Sequence, residues 1–147
     1  MASRLITDLD PSLQPLAQKF LDACNADPVF TDAEAAVLID CTYRSNEEQH
    51  ADFLQGRQTP GNIITDLDAG SSAHNATLAD GTPAAMAFDF AIQLSDRQLD
   101  WSPSDPLWQR AIAIGIGLGL VSGSQWKTLK DFPHLQMAGW SPCPSSI

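Results

Sequence analysis

Apolar residues recur at helical spacing first at Leu13, Leu16, Ala17, Phe20, Leu21 and Cys24, which predicts an amphipathic helix. Asp10 or Ser12 is its expected cap, with Pro11 or Pro15 in the first turn, where a missing N–H costs nothing. A turn-rich connection, Asn25 to Asp32, leads to a strand over Ala35–Tyr43. Strict alternation there puts Val37, Ile39, Cys41 and Tyr43 on one face and Leu38, Asp40, Thr42 and Arg44 on the other. Ser45, with Glu48 three residues on, forms a capping box, and Gly56 closes the helix that it opens.

Thr59 to Ala73 is a loop with a short Ile63-Ile64 strand, and Asp80-Gly81 followed by Thr82-Pro83 is a turn. Period-two alternation returns in Phe88-Asp89-Phe90-Ala91-Ile92 and in His134-Leu135-Gln136-Met137, two short strands. Between them, a polar connection from Ser95 to Asp105 precedes a helix capped by Asp105-Pro106, with Leu107, Trp108, Ala111 and Ile112 turned inward. The glycine-rich run Ile112–Leu120 fits helix or strand by period alone. The strong start favours helix to about Leu118, ended by Gly119, with the glycines permitting close packing. Gly115-Ile116-Gly117 lacks the full pattern of a nucleotide-binding turn. Residues 138–147 form a Pro- and Ser-rich tail.

At 147 residues the chain is long enough for one core, and one domain is expected over 1–147. A formal charge of -10 makes nucleic acid a poor partner, since phosphates would repel the protein. Met1 to Asp10 has no apolar run of the secretory kind, and Ala111–Val121 is too short to span a bilayer. A protein made in the cytoplasm, without a membrane segment, is expected. Cys24, Cys41 and Cys143 are odd in number and show no C-x-x-C pair, so they read as unreactive thiols of a reducing compartment. Asp66 and Asp68 read as solvated loop carboxylates and His50 as a surface histidine.

The candidate chemistry lies where the alternation exposes a side chain opposite apolar neighbours. Asp89 leaves its strand on the face away from Phe88 and Phe90, and His134 leaves its own away from Leu135. With His74 they would satisfy the three protein ligands that a catalytic zinc site typically takes, leaving a fourth position for water. Asp131, three residues before His134, has the reach of a general base toward that water. Arg44, at a strand-to-helix corner, suits either a bidentate grip on a substrate carboxylate or a salt bridge within the protein.

Several ordered motifs then resemble one family: Tyr43-Arg44-Ser45 followed by Gln49, Ser72-Ala73-His74, Ala87-Phe88-Asp89, and Asp131-Phe132-Pro133-His134. Gln55-Gly56-Arg57 and Pro60 to Thr65 are similar too, so the likeness covers Val37 to Met137. The family is that of the zinc D-Ala-D-Ala carboxypeptidases, and the Asp-x-x-His form looks like its phage L-alanyl-D-glutamate endolysin branch. The resemblance implies an α+β fold, a small antiparallel sheet with flanking helices of the hedgehog/DD-peptidase kind. It implies Zn2+ on His74, Asp89 and His134, Asp131 as the base, and Arg44, Gln49 and Ser72 as substrate-positioning residues.

One departure is the fourteen residues between His74 and Asp89, more than the family commonly has. It leaves Asp80 as a rival ligand. Asp89 is preferred for its Ala-x-Asp-Phe setting, with an inserted hairpin accounting for the extra residues. The implied activity is hydrolysis of L-Ala-D-Glu bonds in peptidoglycan stem peptides by a monomer that reaches the wall through a holin-type pore. No separate wall-binding module is visible, and the acidic charge argues against electrostatic capture by anionic wall polymers. The alternatives are a D-Ala-D-Ala carboxypeptidase or dipeptidase, and a non-catalytic zinc-containing wall-binding or virion module.

Overall fold

The computed structural model describes residues 1–141. Its helices are α1 (Gln14–Ala26), α2 (Pro28–Asp32), α3 (Asn46–Leu54) and α4 (Pro106–Gly117); its strands are β1 (Ala36–Cys41), β2 (Ala87–Gln93), β3 (Leu99–Asp100), β4 (Val121–Ser122) and β5 (His134–Gln136). The strands form an antiparallel sheet ordered β1-β2-β5-β4. β3 pairs with the end of β2 beyond β5. Helices flanking a small antiparallel sheet make the fold α+β. Among the described residues no helix is long and apolar enough to cross a membrane.

The core lies where α1 and α4 cover one face of β2. Phe88, Phe90 and Ile92, alternate residues of β2, are fully buried there. Phe20 of α1 packs on Phe88 and Phe90 at ring distances of 5.6 and 5.2 Å, and Trp108 of α4 on Phe90 at 4.8 Å. The Trp108 indole N–H is satisfied by the Asp100 carbonyl at 2.9 Å. A Cβ on Gly115 would come within 2.8 Å of Leu135, so this glycine lets α4 lie directly on β5. Gly119 ends the helix at φ +92°.

Several local expectations are corrected. The connection after α1 contains a short helix, α2, because Asp27 accepts the Val29 N–H and Pro28 occupies the first turn. Asp10 caps the turn before α1 rather than α1 itself: its carboxylate accepts the Ser12 N–H and its carbonyl the Leu13 N–H, while Leu13 is the helix N-cap. Ile63 and Ile64 belong to no strand and stand about half exposed. Strand alternation fails at the end of β1, where a register shift between Ile39 and Cys41 leaves Cys41 and Thr42 both buried. Beyond that shift, the chain near Ser3 pairs with Thr42 and Tyr43 in place of a longer strand. Cys24 is a buried free thiol, pushed up to about 12 chiefly by desolvation, as an inert core residue should be. Cys143 and the tail beyond Ser141 lie outside the described residues.

Candidate metal centre

β2 and β5 bring two of the candidate residues together by register alone. Asp89 and His134 are direct partners across the antiparallel pair, on the face away from Phe88 and Leu135. His74 arrives from a turn built for it. The Ser72 hydroxyl accepts the His74 N–H, and the Asn75 side-chain oxygen accepts the Ser72 N–H in return. The Asn75 amide then donates to the Arg44 carbonyl at 2.9 Å, and the Arg44 N–H to the His74 carbonyl at 2.9 Å, tying this turn to the end of β1.

The contact atoms form a nearly equilateral triangle. His74 Nε2 is 3.2 Å from His134 Nδ1 and 3.2 Å from Asp89 Oδ1, and His134 Nδ1 is 3.5 Å from Asp89 Oδ1. Zinc–ligand bonds of 2.0–2.1 Å in tetrahedral geometry give ligand-to-ligand edges of about 3.3 Å. The other ring nitrogens fix the tautomers. His74 Nδ1–H donates to the Thr42 carbonyl at 2.7 Å, and His134 Nε2–H to Gln136 Oε1 at 2.7 Å, so the inward nitrogens are the ones a metal ion would take as lone-pair donors on displacing a proton. The donor set and its spacing therefore fit a tetrahedral Zn2+ with one position open. Cys41 Sγ lies 3.8 Å from His74 Nδ1, but that nitrogen is committed to Thr42, so the thiol borders the triangle without extending it.

The electrostatics also favour a cation between these groups. Burial disfavours a charged His74, yet Asp89 and Cys41 outweigh it and bring the imidazole up to about 10. Asp89, for its part, is held far below the usual carboxylate range: desolvation opposes this, and His74 and His134 overcome it. Asp131 sits at the rim with its side chain 40% exposed and Oδ2 3.8 Å from His134 Nδ1. Its burial and the nearby Asp89 charge raise it above the ordinary carboxylate value. The Asp131 N–H donates to the Gly123 carbonyl, and a Cβ on Gly123 would collide with the Asp131 carbonyl.

Arg44 makes the salt bridges that were the alternative to a substrate grip, to Asp52 at 3.4 Å and to Asp89 at 3.8 Å. Burial works to lower its pKa, and Cys41, Asp89 and Asp52 raise it on balance. It nonetheless lines the site cavity of about 180 Å³, as do Ser72, Trp126 and Asp131. Gln49 does not line it. The side chain is fully buried, accepting from Arg44 Nη1 at 3.0 Å and donating to the Leu67 carbonyl at 2.6 Å, so it can position Arg44 but cannot touch a substrate. Asp80 stands apart, exposed in a turn where it accepts the Thr82 N–H. A bridge between Thr77 and Pro83 makes that segment a small hairpin. His50 is exposed and pairs with Asp68 at 2.7 Å.

Other residues contribute to the site without having been assigned a role in it from the sequence. Gln136 shares a strand face with His134, a relation that alternation itself implies. Trp126 packs its ring 4.8 Å from that of His134, and Ile64, Thr65 and Leu67 line the same cavity. Nothing local in the chain marks these.

No protein-family model matches the chain. Its architecture is similar to that of the L-Ala D-Glu endopeptidase ChiX of Serratia marcescens, with a TM-score of 0.54 at 14% identity, over 93% of this chain and 88% of that one. In sequence it is 34% identical over 134 residues to the peptidoglycan L-alanyl-D-glutamate endopeptidase CwlK of Bacillus subtilis (strain 168), an alignment spanning 85% of this chain and 73% of that protein. With that identity over most of both proteins, and with the motifs of the likeness meeting around one cavity, the chain belongs to the peptidoglycan L-alanyl-D-glutamate endopeptidase family.

Proposed function

We propose that this protein is a zinc-dependent endopeptidase of the cell wall that hydrolyses the L-Ala-D-Glu bond of peptidoglycan stem peptides, with His74, Asp89 and His134 holding the metal. The observation that carries the reading is the triangle of two imidazole lone pairs and one carboxylate at 3.2, 3.2 and 3.5 Å, with a carboxylate of raised pKa beside it. The activity named for the CwlK relative supports the choice of bond.

Zn2+ bound there supplies Lewis acidity and lowers the pKa of water to about 7. Thr42 and Gln136 keep the two imidazoles in the tautomer that presents a lone pair. Asp131 takes a proton from the attacking water and returns it to the departing amine. Water adds to the alanyl carbonyl, the C–N bond breaks, and an alanyl carboxylate and a glutamyl amine are released. Arg44 orients the substrate's carboxylate, and Gln49 acts through Arg44 as a positioning residue. Ser72 lines the cavity, but its hydroxyl already caps the His74 turn, so its part is to place His74 and to shape the wall.

The test is release of new amino termini from purified peptidoglycan, with and without a chelator and after zinc is restored. Chelation should abolish release of glutamyl amino ends and zinc should recover it. Asp131→Asn should keep stoichiometric zinc and lose about 10²–10⁴-fold in kcat. Release that persists in chelator, or an Asp131→Asn variant at the wild-type rate, would overturn the proposal.

A further inference from the structure

The site cavity lies between two others of opposite character. On one side it shares Arg44, Asp52 and Asp89 with a cleft that also carries Arg4, Asp40 and Glu48. On the other it shares Ile64, Thr65, Leu67, Trp126 and Asp131 with a cavity of about 350 Å³. Leu129 and Trp140 add to the apolar wall of this larger cavity without lining the site itself. Polar groups of Ser71, Thr128 and Gln136 are set among these surfaces. No Lys or Arg is among the described residues lining it, whereas Asp66 and Asp131 are.

We infer that the Trp126–Trp140 cavity is a subsite for the sugar ring that carries the stem peptide, so that the enzyme takes its substrate with the glycan on this side and the glutamyl residue on the Arg44 side. The inference rests on the function proposed above and adds its direction. A pyranose has apolar C–H faces and a rim of hydroxyls, and the cavity offers rigid aromatic and aliphatic walls with hydroxyl and amide groups between them.

The position of the arginines distinguishes the two sides. The muramic carboxyl is consumed in its amide to L-Ala, so the sugar side arrives neutral. The D-glutamyl residue keeps a free carboxylate, and the guanidiniums able to grip it, Arg44 and Arg4, line the opposite cleft, there among Asp40, Glu48, Asp52 and Asp89, whereas no Arg lines the larger cavity among the described residues. L-Ala and the lactoyl group separate the scissile carbonyl from the sugar by about 7 Å when extended. Trp126, packed on His134, stands within that span, and the part of the cavity lined by Leu129 and Trp140 receives the sugar ring beyond it.

The experiment compares kcat/KM on a disaccharide-tetrapeptide with that on the same tetrapeptide bearing an N-lactoyl group in place of the muramyl glycan, so that both are neutral at that end. Wild-type enzyme should prefer the glycan-bearing substrate by about tenfold or more, equivalent to about 1.4 kcal/mol. Trp140→Ala should bring the two values to within about twofold, by slowing the glycan-bearing one. Should that variant fail to fold, Leu129→Asp gives the same comparison. Equal wild-type rates on both substrates would overturn the inference. So would a Trp140→Ala variant that slows both in parallel, which would place peptide in the cavity, or one that leaves the preference intact. Cleavage of neither substrate would instead defeat the endopeptidase reading. The subsite would then be decided by saturation-transfer NMR on the disaccharide with its lactoyl carboxyl capped as an amide: transfer lost in Trp140→Ala supports it, and no transfer to wild type overturns it.

Discussion

Asp89 and His134 face each other across the β2–β5 pair, and their side chains meet at 3.5 Å on the side of the sheet opposite Phe88 and Leu135. A one-residue slip of either strand would exchange cavity-facing and core-facing residues, so the same register that buries Phe88 also builds the site. Asp80 has no such support: it lies in an exposed turn of the hairpin between His74 and β2. Asp89→Ala should therefore lose bound zinc and activity together, whereas Asp80→Ala should retain both. Metal content by atomic absorption, beside turnover of a stem peptide, checks this. Zinc lost from Asp80→Ala and kept in Asp89→Ala would reverse the assignment.

Gln136 should matter through His134. Its Oε1 is the acceptor for His134 Nε2–H at 2.7 Å, which fixes the tautomer that leaves Nδ1 free. Replacing such a partner typically costs about 10–100-fold in metal affinity. Gln136→Leu should show that loss in competition with a chromophoric chelator, and Gln136→Glu, which restores an acceptor, should recover most of it. An unchanged affinity in Gln136→Leu would mean that packing against Trp126 alone orients the ring.

What the chain discloses and what it conceals divide along physical lines. The capping box at Ser45, the Asp105 cap and the faces of Asp89 and His134 arise from spacings of a few residues, and each is present as the pattern dictates. Gln49 matched a family motif, but only the burial of α3 against the loop at Leu67 shows that both its polar ends are used inside the protein. The β1 register shift depends on pairing with β2, and the wall at Ile64, Thr65 and Leu67 on contacts far along the chain, so alternation in Val37–Tyr43 or Ile63-Ile64 carried no sign of either. Trp126 sits on His134 through a turn whose glycine, Gly123, has no pattern to announce it.

Gly123 supplies a contrast with Gly117 of α4. A Cβ at Gly123 would strike the Asp131 carbonyl and lie 3.0 Å from Cβ of His134, the first residue of β5, whereas a Cβ at Gly117 meets nothing within 4 Å. Gly123→Ala should cost about 1–3 kcal/mol through overpacking and should also reduce zinc affinity, since the strain falls on the segment that carries Asp131 and His134. Gly117→Ala should be neutral or stabilising by up to about 1 kcal/mol, as alanine is the better helix former. Urea unfolding of the two variants, with zinc content measured alongside, separates them. Equal stability would show that the Gly123 turn relaxes freely.

Asp27 serves two elements at once, capping α2 through the Val29 N–H and pairing with Arg110 of α4 at 2.8 Å. The Arg110 bond and the Val29 N–H hold its carboxyl below the ordinary value. A carboxylate whose folded pKa is depressed adds stability above its unfolded pKa of about 3.9, and that contribution disappears as pH falls through the lower folded value. Asp27→Asn keeps a cap but removes the charge. The variant should therefore melt below wild type at pH 6–7, with the gap closing steadily as the pH drops from about 4 toward 2. The pair is exposed on the arginine side, so raising salt should narrow the gap at neutral pH as well. A Tm difference that stays constant between pH 7 and 2 would assign the effect to the cap geometry rather than to the ion pair.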